Sequence, residues 1–248
     1  MKKILPAAVV AAVAGVNGAQ ALHVNPDGLG QVLLYPYYTV EGQQDTYINL
    51  VNTTDDFKAV KIRFLDSMNS AEVLDFNLYL SPRDHWSAVV TGGREDGEPA
   101  VMRSADTSCT SPLAVSQGLE IPFRTYQFDE EDSVNGPERT REGYVEIIEM
   151  GTIFDSDLQA AIEHVDGEPD DCEFVDDQWA SGGLWDQTDG DFGLTGLTGG
   201  LYGYGVLIDV PKGAAAGYEA TAIDDWIDED LFLFSHTEPG SIFPSLGS

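Results

Sequence analysis

Between residues 32 and 90 apolar side chains recur at every second position, and short polar turns interrupt them at regular spacing. In Val60-Lys61-Ile62-Arg63-Phe64 the apolar residues share one face and the basic residues the other. Leu74, Phe76, Leu78 and Leu80 line up in the same way, as do Trp86, Ala88 and Val90. Successive side chains of an extended chain point to opposite sides, so this alternation predicts half-buried strands. Residues 32–38 and 46–51 are predicted strands as well, and Pro36 makes the first an edge strand or a bulged one. The separators Glu41-Gly42, Thr53-Thr54-Asp55-Asp56, Asp66 to Ser70 and Ser81-Pro82-Arg83-Asp84 are turn-forming. Short strands with turns at this spacing predict a mainly β chain folded as an antiparallel, immunoglobulin-like β-sandwich.

The pattern changes after residue 91. Residues 144–150 read as one more strand, and Leu158, Ala161, Ile162 and Val165 follow helical spacing. Asp155 or Ser156 would cap that helix, with Gly167 just past its end. Residues 166–198 are acidic and glycine-rich. β pattern returns at 201–210, 218–223 and 231–234, and the tail from His236 has two prolines and little periodicity. The expectation is a single β-sandwich domain over 22–248, with an acidic, loop-rich insertion at about 92–198 that carries one short helix.

Residues 1–21 do not belong to that pattern. Lys2 and Lys3 precede an Ala/Val-rich run from Ile4 to Val16, and Ala19-Gln20-Ala21 is a small-x-small cleavage site. These three parts make a signal peptide, with Leu22 beginning the mature chain. The apolar run is shorter than the about 20 residues a membrane span needs. The protein is therefore expected to be secreted or held at the cell surface, with the periplasm as a further compartment. No membrane insertion is expected after signal removal.

Charge sharpens this reading. The chain has 12 basic and 43 acidic residues, a formal net charge of -31, and 26 of the acidic residues fall between 91 and 198. Such acidity repels nucleic acid and anionic membranes, and it opposes folding by self-repulsion unless cations screen it. General salt adaptation, with hydrated carboxylates over the surface, accounts for most of it. The two cysteines, Cys109 and Cys172, are predicted to pair as a disulfide in an oxidising compartment. That bridge closes a loop of about 60 residues, worth roughly 4 kcal/mol in chain entropy.

Several segments, "GQVLLYPYYT", "LDFNLYLSP" and "GYGVLIDVPKGAAAGYEATAI" among them, resemble parts of uncharacterised exported β-rich proteins of Gram-negative bacteria. The resemblance implies export and a β-rich fold. It carries no function and no site residue.

Candidate chemistry is sparse. Asp186, Asp189 and Asp191, with Gly190 to turn the chain, form the best metal candidate, because oxygen-rich loops suit calcium. Asp129 to Asp132, and Asp170-Asp171 with Asp176-Asp177, are further acidic clusters that also read as solvated loop. Trp179 and Trp185 either stack on sugar rings or anchor a loop to the body. The histidines 23, 85, 164 and 236 show no zinc-enzyme spacing, and no nucleophile elbow or phosphate-binding loop occurs. The leading expectation is a non-enzymatic structural or adhesive cell-surface protein that associates with itself, as homo-oligomer or fibre, or with surface glycans. A calcium- or carbohydrate-binding module and a secreted hydrolase with a carboxylate site are the alternatives. Strand donation by residues 22–38 is one route to self-assembly, and pairing of that segment within its own fold is the other.

The charge generates a first prediction. The melting temperature should rise from low to molar NaCl, because screening shortens the range of the repulsion. A thermal melt across a salt series checks this, and a flat or falling series would contradict it.

Overall fold

The computed structural model describes residues 22–93, 97–129, 131–186, 192–227 and 236–246. The predicted signal peptide, Asp189, Asp191 and the predicted strand at 231–234 lie outside the described residues. The first nine strands are β1 (His23–Val24), β2 (Val32–Thr39), β3 (Gln44–Asn52), β4 (Phe57–Asp66), β5 (Glu72–Leu80), β6 (His85–Thr91), β7 (Val101–Arg103), β8 (Thr110–Ser111) and β9 (Ile121–Pro122). They are followed by β10 (Glu142–Ile153), helix α1 (Ser156–Ile162), β11 (His164–Val165), β12 (Glu168–Pro169) and helix α2 (Cys172–Asp177). Last come β13 (Leu194–Thr195), β14 (Leu201–Asp209), β15 (Ala214–Glu219) and β16 (Thr221–Asp224).

All strand pairs are antiparallel. Sheet A runs β1-β16-β2-β10-β4-β5-β8, with β13 added to β10, and sheet B runs β15-β14-β3-β6-β7-β9. The two enclose one core in a sandwich-like arrangement. Tyr35, Ile62, Phe64, Leu74 and Phe76 of sheet A meet Ile48, Leu50, Trp86 and Val90 of sheet B. The alternation seen in the sequence picks out these inward residues. Packing under β14 needs small residues there: a Cβ at Gly203 would sit 1.9 Å from the Tyr35 hydroxyl of sheet A, and one at Gly205 would sit 2.2 Å from the ring of Tyr218 on the neighbouring β15.

Pro36 occupies a bulge. Tyr38 pairs with Gly143 and Tyr35 with Val145, so Pro36 and Tyr37 face the single residue Tyr144. β16 pairs β2 only at residues 32–34, before the proline's missing N–H matters. β2 thus lies inside sheet A between β10 and β16, and of the two routes open to residues 22–38 the structure takes pairing within the fold. The expected strand at 218–223 is two strands. The chain leaves sheet B at Glu219 and enters sheet A at Thr221, with Ala220 N donating to Gly203 O at 2.9 Å.

The acidic stretch is woven into the body, since β10 is a central strand of sheet A and β7 to β9 extend sheet edges. It carries two helices rather than the one expected. Asp155 caps α1 by accepting from the N–H groups of Asp157 and Leu158, and Asp171 caps α2 by accepting from that of Phe174. α1 stops at Ile162. Val165, expected on its face, is 57 % exposed in β11. Asp166 and Gly167, at φ 55° and 93°, form the two-residue turn to β12, so Gly167 makes a hairpin and not a helix end.

The basic residues of β4 are not half exposed, as alternation alone implies. Both faces of β4 and β5 are buried, because α1, α2, the turn around Trp185 and the tail form a third layer on sheet A. Every cation beneath it is paired. Arg63 donates to Glu72 at 2.8 Å and to Glu146 at 2.9 Å, and Lys61 lies 3.4 Å from Asp75. Near one end Lys58 donates to Glu149 at 2.7 Å and to Thr198 Oγ1 at 2.7 Å. Glu149 also accepts from the N–H groups of Thr198 and Gly199. Burial pushes the Glu146 and Glu149 carboxyls up against the pull of their cations. The same burial pushes Lys61 down to about 8.

A buried charge without its partner is costly. Lys58→Met should destabilise by about 3–5 kcal/mol, and adding Glu149→Gln, which removes the unpaired charge but keeps an acceptor for a backbone N–H of Thr198 or Gly199, should recover part of that loss. Urea denaturation of both variants checks this; equal losses would show that the cost does not come from leaving the Glu149 charge unpaired.

Candidate functional site

Among the described residues, nothing forms a third layer on sheet B. The outward residues of β3, β14 and β6 form an uncharged field in which Tyr202 pairs across from Val51, Tyr204 from Asn49, and Tyr47 from both Val206 and Val89. The Tyr202 and Tyr204 rings lie 6.1 Å apart, and Tyr47 is 39 % exposed. Charges keep to the margin: Asp45 opposite Ile208, Arg103 opposite Val89, and Glu219 opposite Tyr204. Tyrosine suits such a surface, offering an apolar ring and a hydroxyl that stays wet.

The field continues to an open strand edge. β15 is the outermost strand of sheet B, and Ala214, Ala215, Ala216 and Gly217 are exposed. It has six residues, no proline and no charge before Glu219. Such an edge offers backbone groups to another strand, and the usual protections of charge, proline or a bulge are missing. The other ends of the two sheets, β1, β8 and β9, are two residues long, and β9 contains Pro122. Tyr218 fixes β15 from below by packing over Gly205 and donating its hydroxyl to Tyr37 O.

A second feature is an acidic cleft of about 350 Å³ lined by Asp84, His85, Asp106, His164 and Glu168. His164 Nδ1 lies 2.9 Å from Ser81 Oγ and 3.9 Å from Asp84 Oδ2. Burial raises the Asp84 carboxyl; His164 opposes that shift and Asp106 adds to it. Hydroxyl and carboxylate meet the same ring nitrogen, whereas a serine–histidine–aspartate relay needs them on opposite ones. Ser81 is also buried, at 5 % exposure. The sequence separation of Asp84 and His164 hides this grouping. The disulfide beside it was the available signal: Cys109 follows Ser108 of one wall, Cys172 opens α2 beyond the other, and their Cα atoms lie 4.9 Å apart.

The residues singled out in the sequence divide clearly. Cys109 and Cys172 form the expected disulfide. Asp186 is exposed and accepts from Gly182 N at 3.0 Å, closing a turn; its proposed co-ligands Asp189 and Asp191 lie outside the described residues. Among the described residues no group of three or more His, Cys, Asp or Glu is placed to hold a metal ion. Trp179 and Trp185 serve as anchors. Trp185 stacks on Tyr79 at 5.1 Å and donates to Phe192 O, and Trp179 donates to the Tyr79 hydroxyl at 2.8 Å. His236 completes this cluster, 4.8 Å from each indole. No described helix is long and apolar enough to cross a membrane. No protein-family model matches the chain. No curated protein matches it either.

His236 yields a pH prediction. Burial, and then the Lys61 charge, push its imidazole down to about 3. The unfolded state takes up a proton near pH 6.5 while the folded state does not. Stability therefore falls as pH drops from about 6.5 toward 3, by at most about 1.4 kcal/mol per pH unit for this group. The raised carboxyls work in the opposite direction but are shared with a His236→Phe variant. Urea melts of both proteins from pH 7 to 4 should show the wild type losing stability faster; parallel curves would contradict it.

Proposed function

We propose that the protein is an exported, non-enzymatic structural or adhesive component of the cell surface, an immunoglobulin-like sandwich that associates with copies of itself through sheet B. One observation carries the reading: the uncharged tyrosine–valine face is continuous with the unprotected β15 edge, in a chain of formal net charge -31. Like charge keeps copies apart everywhere except where charge is missing. At about 1 M salt the repulsion extends only about 3 Å, so strand edges come together. β15 pairing antiparallel with its own copy obeys a two-fold axis and joins two six-stranded sheets into one. That arrangement closes as a dimer. A fibre needs a second long edge, and the remaining described sheet ends are two residues each.

The outward array of Tyr47, Tyr202 and Tyr204 favours a second reading, a glycan-binding face on which sugar rings stack. Saturable glycan binding by the monomer would support it over self-association.

Light scattering after size exclusion, at 0.1 and 2 M NaCl over a range of concentrations, tests the first reading. A dimer should appear at high salt. Ala215→Asp, which puts a charge on each copy of the exposed edge, should weaken it at least tenfold. A monomer at every salt and concentration would overturn the proposal.

A further inference from the structure

The tail at residues 236–246 lies across the outer face of sheet A and is held there largely through its backbone. Lys61 Nζ donates to Glu238 O at 2.7 Å, and Asn77 Nδ2 donates to Thr237 O at 2.9 Å. Gly240 N donates to Asp75 Oδ2 at 2.6 Å, and the Leu246 N–H reaches Glu146. His236 is inserted among the rings of Tyr79, Trp179 and Trp185, and Pro244 is buried further along the tail. A row of side chains that reads backbone groups, ending in an aromatic cage for one ring, has the chemistry of a site for a peptide segment, here one that turns at Pro239-Gly240 with Ser241 N donating to Glu238 O at 3.2 Å.

The tail fills this site incompletely. Among the described residues, Glu72 Oε1, Asn77 Oδ1 and His236 Nε2 are buried and have no hydrogen-bond partner, and Asp75 Oδ1 has only the Arg124 guanidinium at 3.8 Å. A cleft of about 510 Å³ also opens beside it, between Trp226, Ile227, Phe243 and Leu246. Orphaned buried polar atoms weaken an occupant's hold. Uncovering the face leaves Lys61 and Arg63 beside Asp75 and Glu146, cations and anions already matched, so the groove tolerates water once open.

We propose that this face is a peptide-binding groove, occupied here by the chain's own residues 236–246, and that the same segment of a second copy replaces it. The second copy is the indicated partner because its segment makes the same backbone contacts and inserts the same imidazole. The outcome between own and foreign tail is set by concentration. A tethered segment competes at an effective concentration of about a millimolar, so exchange requires crowded copies or a weakened tail. Tail exchange links subunits through sheet A and is independent of pairing at β15.

A fluorescent synthetic peptide of residues 236–246 tests this by anisotropy against the full chain. His236→Ala and Gly240→Pro each weaken the chain's own tail, the second by removing the N–H held by Asp75. Either variant should bind the peptide at least tenfold more tightly than wild type does, and a scrambled peptide should not bind. Adding Lys61→Met should abolish binding, whereas adding Ala215→Asp should leave it unchanged, which separates this groove from the edge of sheet B. No binding at millimolar peptide to folded His236→Ala or Gly240→Pro, or binding indifferent to Lys61, would overturn the proposal. Failure of both tail variants to fold would overturn it too, because the tail would then be an obligate part of the body.

Discussion

Strand β4 carries three cations into the interior, and a buried cation is tolerated only with a partner in place. That requirement organises sheet A. β5 has to present Glu72 and Asp75 and β10 has to present Glu146 and Glu149, in the registers that set Arg63 opposite both Asp75 and Glu146. A one-residue slip of either neighbour would turn its carboxylates to the wrong face and leave the cations bare. With the charges matched within the plane of the sheet, helices and tail can lie over them without adding counter-ions of their own. Sheet B, with no charges at the centre of its outer face, has no such cover among the described residues. The two faces of the molecule therefore differ in kind: one is closed over paired charge, and the other is open, aromatic and neutral.

The strands that line the core were the legible part of the sequence. Alternation marked β4, β5 and β6, because the inner face of a sheet admits apolar residues at every second position, and β2, β3, β10 and β14 were legible as strands beside them. The same rule misjudged the outer face of β4 and β5. Lys61 and Arg63 look like solvent-facing residues, and nothing in a strand's own sequence tells whether a distant segment will cover it. α2 was hidden for another reason: six residues form too little pattern, and Asp171 reads as one more acid in an acidic stretch. At Asp166-Gly167 two signals conflicted. Glycine after an apolar periodic run marks a helix end, but the same dipeptide is a hairpin turn, and the extended Glu163 settled which applied.

The candidate sites were less legible than the fold. The disulfide followed from an even number of cysteines together with the oxidising compartment that the signal peptide implies. The tyrosines of β14 were visible as a Tyr/Gly-rich strand, but their outward direction depends on Gly203 and Gly205 yielding the inner face to Tyr35 and Tyr218, which come from other strands. The cleft at Asp84 and His164 joins residues far apart in the chain, and the groove under the tail joins β4 and β5 to residues beyond 235. Neither has a local motif. Both exist because long-range pairing brings remote segments onto one surface.

The placement of β2 also bears on how the chain acquires its fold. The partners of Val32 are Ile148 on one side and Ile223 on the other. An emerging polypeptide therefore holds its earliest long strand unsatisfied until nearly the whole sequence has been delivered. Contacts of such separation form late and slowly, since the intervening chain must first give up its entropy. Sheet B is similarly delayed, because β3 waits for β14. Vectorial delivery of this chain thus yields little stepwise folding, and the interval before residue 224 arrives is when its apolar strands stand most exposed to chaperones, proteases and one another.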